Sequence, residues 1–271
     1  GTDAYTARRA RCNVPEELTF QSKPPLAAAM LQAMAQEGLL PCKYVVADCL
    51  YGNSPDLLDA VDACVGVTAL VAVSSETRCW LQRPQTADRC YTYKGEARSK
   101  RVVVGPEHAP RTVAALAADL PASCWYQRTV SEGTKGPIVY AFARQRVILC
   151  KEGLPERTVW LVIKRPLGAD PVYSYALSNA PARTPLRTFV WLSGVRWASE
   201  QGFEEGKTEL GMAHYEVRKY PGWHHHMLMT MLAHCFLWPL KRPLGAKSPG
   251  PHRVAAADVL GRRLTLAEVY H

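Results

Sequence analysis

Three charged residues in the last third of the chain have a spacing that suits chemistry on phosphates. Arg196, Glu200 and Lys207 lie at positions i, i+4 and i+11, which is close to one face of an α-helix. Phe203 lies on the same side and would anchor that face in a core. A carboxylate flanked by two cations can hold a metal ion while the cations hold phosphate oxygens. The alternative is an ordinary Arg–Glu pair on a solvated helix, worth about 0.3–0.5 kcal/mol.

A second carboxylate, Asp48, follows a short apolar run. The segment Lys43–Asp48 is predicted to be a buried strand, and open α/β sheets place their ligands at the carboxyl ends of their strands. If Asp48 and Glu200 converge, they could share Mg²⁺, which prefers oxygen ligands. Two-metal phosphoryl transfer normally needs a further carboxylate. The alternative is that Asp48 caps the turn at Tyr51-Gly52.

Three other motifs are rejected as sites. Residues 202–208 look like a phosphate-binding loop, but the glycines are separated by too few residues and the segment lies in a predicted helix. The pair Ser193-Gly194 lacks the leading glycine of a nucleophile elbow, because Trp191 stands there. The run His224–His226 fans out by about 100° per residue on a helix, so its members cannot all bind one ion.

The composition favours a folded, basic protein with an anionic partner. Of 271 residues, 48% are hydrophobic, which is enough for a substantial core. Lys and Arg number 33 against 24 Asp and Glu, and the net charge of +9 favours nucleic acid over a membrane. No apolar run reaches the roughly 20 residues of a membrane span, and no signal-peptide pattern is present.

The nine cysteines form no C-x-x-C pair and none lies beside a histidine at the spacing of a zinc site. An odd, scattered set of cysteines in a chain with this much core indicates reduced, mostly buried thiols. The sequence therefore predicts a cytoplasmic or nucleoid-associated protein.

Residues 1–74 are predicted to begin an α/β layer. Helical and strand-like segments alternate with short connections, which indicates a parallel sheet. The segments are a helix over Leu26–Glu37, a strand over Lys43–Asp48, a turn over Tyr51–Pro55, a helix over Asp56–Ala63 and a strand over Val65–Val73.

Residues 75–183 are predicted to form a β-rich insertion with one helix, Pro110–Leu120. Its strand-like stretches are Arg89–Tyr93, Arg101–Val104, Cys124–Val130, Pro137–Cys150, Thr158–Lys164 and Val172–Leu177. Helical periodicity returns in residues 184–243, with helices from Pro185 to about Leu210 and from Pro221 to about Trp238. Residues 244–271 are a tail.

Two motifs together resemble those of insertion-sequence DDE transposases. Asp48 followed by Tyr51-Gly52 is similar to the D-x-x-Y-G element that carries the second acid of this family. Arg196, Glu200 and Lys207 match the arginine, glutamate and lysine of the family's Y-R-E-K signature. The segment Leu210–Arg218 also resembles the residues after the glutamate in this group, so the resemblance covers nearly all of residues 1–240.

The resemblance implies a ribonuclease H-like core interrupted by a β-rich insertion. It implies that Asp48 and Glu200 bind Mg²⁺ or Mn²⁺ for DNA cleavage and strand transfer at transposon ends. Arg196 and Lys207 would grip the transposon-end DNA, and Tyr51 and Arg218 would also contact DNA. A transposase of this kind would be prokaryotic and would self-associate.

The chain departs from the family pattern in two places. The signature tyrosine falls at Ser193, and the family's first aspartate would precede the helix at 26–37, where Asp3 lies in an expected linker. The chain is therefore expected to be a C-terminal portion of a transposase with weak or no nuclease activity. The alternatives are a non-catalytic DNA-binding or inhibitory remnant and, disfavoured by the charge and by the lack of a phosphate loop, a hydrolase of small phosphorylated substrates.

Overall fold

The computed structural model describes residues 2–39, 42–105, 109–133, 136–168 and 172–244. Of the predicted C-terminal tail, 244–271, only Leu244 lies within these residues, and it ends a helix. In the part of the chain that the structure describes, none of the helices combines the length and the apolarity that a bilayer span requires.

The described helices and strands alternate in the first quarter of the chain and separate into a run of strands and a pair of long helices afterwards. The helices are α1 (Thr2–Arg11), α2 (Lys23–Gln36), α3 (Cys49–Gly52), α4 (Pro55–Ala63), α5 (Val113–Ala118), α6 (Leu186–Thr208) and α7 (Tyr220–Leu244). The strands are β1 (Tyr44–Ala47), β2 (Thr68–Val73), β3 (Arg78–Trp80), β4 (Gln85–Tyr93), β5 (Glu96–Val104), β6 (Arg111–Thr112), β7 (Tyr126–Gly133), β8 (Gly136–Lys151), β9 (Leu154–Pro166) and β10 (Ser174–Ser178).

Among the described residues, the chain divides into two compact units. Residues 23–194 form one unit, and residues 2–22 together with residues 195–244 form the other. The boundary falls within α6, between Gly194 and Val195.

The larger unit is built on a mixed sheet of eight strands in the order β1-β2-β10-β9-β8-β3-β6, with β7 also paired to β8. The strands β1 and β2 are parallel, as the alternation of helices and strands predicts. The pairs from β2 to β6 along this order are antiparallel. The strands β4 and β5 form a separate two-stranded sheet.

Helices cover both faces of the large sheet. On one face, alternate residues of β2 and β9, such as Val71 and Leu161, pack with buried residues of α2, α4 and α5. On the other face, Leu70 and Trp160 pack with Phe189 and its neighbours in the first half of α6. Burial on both faces explains why these strands are continuous apolar runs rather than alternating ones.

The smaller unit is helical. The backbone N–H of Tyr220 at the start of α7 donates to the Cys12 carbonyl at the end of α1, at 2.8 Å. The side chains of Glu205 on α6 and His234 on α7 lie 3.4 Å apart. These contacts join α1, α7 and the second half of α6 to one another.

The structure corrects the sequence-based predictions of several local elements. Residues 2–11 form a helix where no periodic structure was expected, so Asp3 lies in the first turn of α1. Tyr51 and Gly52 belong to the short helix α3 rather than to an open turn. The predicted helix Pro110–Leu120 is only α5, because the preceding residues form β6.

The strands of residues 75–183 do not all stand apart from the first α/β layer. Strand β10 pairs antiparallel with β2, and β9, β8, β3 and β6 continue the same sheet outward from it. The boundaries predicted at residues 74 and 183 remain predictions.

Candidate functional site

Asp48 lies directly after β1 and is the N-cap of α3. Its Oδ1 accepts hydrogen bonds from the backbone N–H groups of Leu50 at 2.9 Å and Tyr51 at 3.4 Å. The residue is exposed, and its Oδ2 accepts no hydrogen bond from any described residue. The capping role left open by the sequence is therefore present, and it uses only one of the two carboxylate oxygens of this exposed residue.

The position of Asp48 depends on how closely α3 approaches β2. A Cβ atom at Gly52 would lie 2.0 Å from the Ala72 carbonyl oxygen, so only glycine fits there. Tyr51 is half-buried and packs against the hydrophobic core under the sheet. The D-x-x-Y-G element thus consists of a capping carboxylate, a ring packed on the core and a glycine required by backbone contact.

Arg196, Glu200 and Lys207 all lie on α6, as their spacing predicts. The Arg196 Nη2 lies 3.1 Å from the Glu200 Oε1, and the two side chains are 46% and 58% exposed. The expectation that Phe203 anchors this face in a core is wrong, because its side chain is 57% exposed. Lys207 is exposed in the last turn of α6.

The segment after Lys207 folds back on the helices of its own unit. The backbone N–H of Met212 donates to the Gly206 carbonyl at 2.9 Å, and Nε2 of His226 donates to the Gly211 carbonyl at 3.0 Å. Arg218 is exposed in the connection between α6 and α7. The signature position Ser193 donates instead to the Phe189 carbonyl on its own helix, at 2.8 Å.

The two predicted metal ligands belong to different units: Asp48 to the larger and Glu200 to the smaller. The structure brings Glu200 together with Arg196, and Asp48 with the amides of α3. Within the described ranges, no group of three or more His, Cys, Asp or Glu side chains could hold a metal ion. The donor chemistry of the two carboxylates fits a hard cation, but the described residues do not complete a metal site by themselves.

The sequence of residues 2–137 matches the family model of the DDE superfamily endonucleases. This match spans half of the chain and includes Asp48, whereas Glu200 lies beyond it. A carboxylate after a parallel strand of a mixed α/β sheet fits the class of DDE-type transposases and endonucleases. The chain belongs to the DDE superfamily of endonucleases. No curated protein matches the chain.

Proposed function

We propose that the chain is a DDE transposase that cleaves DNA and transfers strands at transposon ends. The observation that carries the proposal is the match over residues 2–137 to the DDE superfamily endonucleases, a family that acts on DNA. The mixed sheet, with α2, β1, α4 and β2 in that order, is consistent with a ribonuclease H-like core. We assign residues 1–74 and 184–243 to this core and residues 75–183 to its β-rich insertion.

We further propose that Asp48 and Glu200 are catalytic residues that bind Mg²⁺ or Mn²⁺. DDE superfamily endonucleases generally use divalent metal ions, which activate a hydroxyl group and stabilise the leaving oxygen in phosphoryl transfer. The exposed carboxylates of Asp48 and Glu200 carry hard oxygen donors of the kind that these ions prefer.

The proposed DNA contacts are Arg196, Lys207, Arg218 and Tyr51. The first three are exposed cations, which suit contacts to backbone phosphates. Tyr51 is half-buried, so its contribution would be limited to the edge of its ring that remains exposed. The net charge of +9 favours association with DNA in the nucleoid. Self-association is proposed from the family resemblance alone.

A second candidate function is a non-catalytic DNA-binding protein that competes with a complete transposase. Two observations favour it. Glu200 is paired with Arg196, and no group of three potential ligands occurs among the described residues. In that case DNA binding would depend on salt but not on Asp48 or Glu200.

The experiment is a nicking assay on supercoiled plasmid with Mg²⁺ or Mn²⁺. Asp48→Asn and Glu200→Gln should each abolish the nicking that the wild-type chain shows, which is expected to be weak. Asp56→Asn and Glu204→Gln serve as controls, because both residues are exposed carboxylates on neighbouring helical segments. Nicking that survives both substitutions would contradict the proposed site. DNA binding without nicking, indifferent to both substitutions, would favour the second function.

A further inference from the structure

The strands β4 and β5 form an antiparallel ribbon that leaves the large sheet between two adjacent strands. They pair without interruption from Gln85↔Val104 to Tyr93↔Glu96, nine residues on each strand. At the tip, Lys94 and Gly95 have φ values of +52° and +83°, as the tight turn of a regularly twisted hairpin requires. The strands that precede and follow the ribbon in the chain, β3 and β6, pair with each other.

Every residue of the ribbon from position 87 to position 101 is exposed. Over these residues the ribbon has no covering layer and neither face buries apolar surface, and an isolated two-stranded ribbon is only marginally stable in water. The ribbon is therefore a surface element with both faces available to a partner.

The pairing register sorts the side chains of the ribbon onto two faces of different charge, because cross-strand partners share a face. We call them the basic face and the neutral face. The basic face holds the pairs Arg89↔Lys100, Tyr91↔Arg98 and Tyr93↔Glu96. The neutral face holds the pairs Asp88↔Arg101, Cys90↔Ser99 and Thr92↔Ala97.

The basic face carries an electrostatic cost that the fold itself does not explain. Arg89 lies directly opposite Lys100, and like charges at such a pair destabilise a sheet. The single carboxylate of this face, Glu96, is already paired with Arg98 at 3.1 Å. On the neutral face, Arg101 lies opposite a residue of opposite charge, Asp88, and its Nε donates to the Thr86 hydroxyl at 3.1 Å.

Two tyrosines lie among the cations of the basic face and are about half exposed: Tyr91 at 45% and Tyr93 at 49%. The guanidinium carbon of Arg98 lies 5.0 Å from the centre of the Tyr93 ring, and the ammonium of Lys94 lies 5.6 Å from it. These cation–π contacts orient two positive groups at the tip of the ribbon. Exposed aromatic rings between cations suit the sugars and bases of nucleic acid.

We infer that the β4–β5 ribbon is an arm that binds duplex DNA through its basic face. Nine residues per strand span about 30 Å, and the major groove of DNA, about 12 Å wide, admits a two-stranded ribbon. Phosphates on either side of the groove relieve the repulsion between Arg89 and Lys100. This inference rests on the proposed action on DNA and adds a contact surface separate from Asp48 and Glu200.

The test is a binding titration of the full chain with a labelled 30-base-pair duplex in EDTA, repeated over a series of salt concentrations. Lys100→Gln and Arg101→Gln form a matched pair, because the two residues are adjacent but lie on opposite faces. A plot of the logarithm of the association constant against the logarithm of the salt concentration has a negative slope. We expect Lys100→Gln to make this slope less steep by about 1, and Arg101→Gln to leave it unchanged.

The triple variant Arg89→Gln/Arg98→Gln/Lys100→Gln should reduce the same slope by about 2.7. Between 50 and 200 mM salt, the affinity of the wild-type chain should then fall about 40-fold further than that of the variant. Thermal unfolding of each variant checks the fold. The triple variant should unfold at nearly the wild-type temperature, because it removes the like-charge pair Arg89–Lys100 together with an exposed ion pair of Arg98 that contributes little.

Equal slopes for the triple variant and the wild-type chain would overturn the inference and leave the proposed function standing. If the wild-type chain binds no duplex at all, both the inference and the proposed function are contradicted. Analytical sedimentation of the wild-type chain and the triple variant would show whether the basic face binds a second copy of the chain instead of DNA. If the wild-type chain self-associates and the triple variant does not, with DNA binding equal in the two, the basic face contacts a second copy of the chain and not DNA.

Discussion

Gly52 provides a direct test of how the chain positions Asp48. A Cβ atom at this glycine would lie 2.0 Å from the Ala72 carbonyl oxygen and 3.3 Å from the Val71 Cβ. Cβ contacts below 3.0 Å are essentially never observed, so α3 would have to move by about 1 Å from β2. Strand β2 cannot yield easily, because it pairs with β1 on one side and β10 on the other.

We expect Gly52→Ala to destabilise the larger unit by about 3 kcal/mol, at the upper end of overpacking costs, because the obstructing atom belongs to the backbone. In a unit of this size that corresponds to a fall in Tm of about 6–12 °C. The assay is thermal unfolding followed by circular dichroism.

Gly202→Ala is the control for this substitution. At that helical position the nearest atom to a new Cβ is the Cε1 of His234, at an ordinary 3.8 Å. Its Tm should stay level or rise, since alanine favours a helix over glycine by about 0.5–1 kcal/mol. An unchanged Tm for Gly52→Ala would refute the close packing of α3 on β2.

Three further predictions concern the larger unit. Arg157 forms ion pairs with Asp59 and Asp62 on α4 and is only 23% exposed, so Arg157→Met should lower the free energy of unfolding by about 1 kcal/mol in urea titrations. Burial raises the pKa of the Cys79 thiol to about 11 from its usual 9.0, so the native chain holds this proton more tightly than the unfolded chain does. The protonated Cys79 thiol should therefore contribute fully to the free energy of unfolding below pH 9, and this contribution should be lost as the pH rises through about 11. Urea titrations at several pH values should show this loss in the wild-type chain but not in Cys79→Ala. At pH 8.5, iodoacetamide should alkylate exposed Cys90 and spare Cys79, as mass spectrometry of the native chain would detect.

The sequence predicts the long central strands of the large sheet well, because strands such as β2 and β9 contain apolar runs that are buried. The two- and three-residue strands β6 and β3 are too short to give such a run and were not predicted. The parallel pairing of β1 and β2 follows from the short helix between them and is confirmed. Periodicity cannot identify pairing partners, however. The antiparallel contact of β10 with β2, which joins residues 75–183 to the first α/β layer, was therefore not foreseen.

The local structure around the candidate site residues could be predicted only in part, and their roles in a site stay predictions. Asp48 was located at a strand end from the apolar run before it, whereas the helical form of α3 depends on a tertiary contact between Gly52 and β2 that no local pattern contains. The spacing of Arg196 and Glu200 predicted their pairing. The same spacing wrongly predicts that Phe203 is buried in a core, whereas its side chain is exposed. Periodicity defines a helix face but does not show whether another element covers that face.

A Mn²⁺ titration followed by electron paramagnetic resonance tests most directly whether Asp48 and Glu200 bind one and the same ion. We predict that Asp48→Asn and Glu200→Gln each weaken Mn²⁺ binding at least about tenfold, and that the double variant is no weaker than the more damaged single variant. The exposed neighbour Glu204→Gln should bind Mn²⁺ as the wild-type chain does. Binding that is unchanged in both single variants, or losses that add fully in the double variant, would contradict a shared metal site.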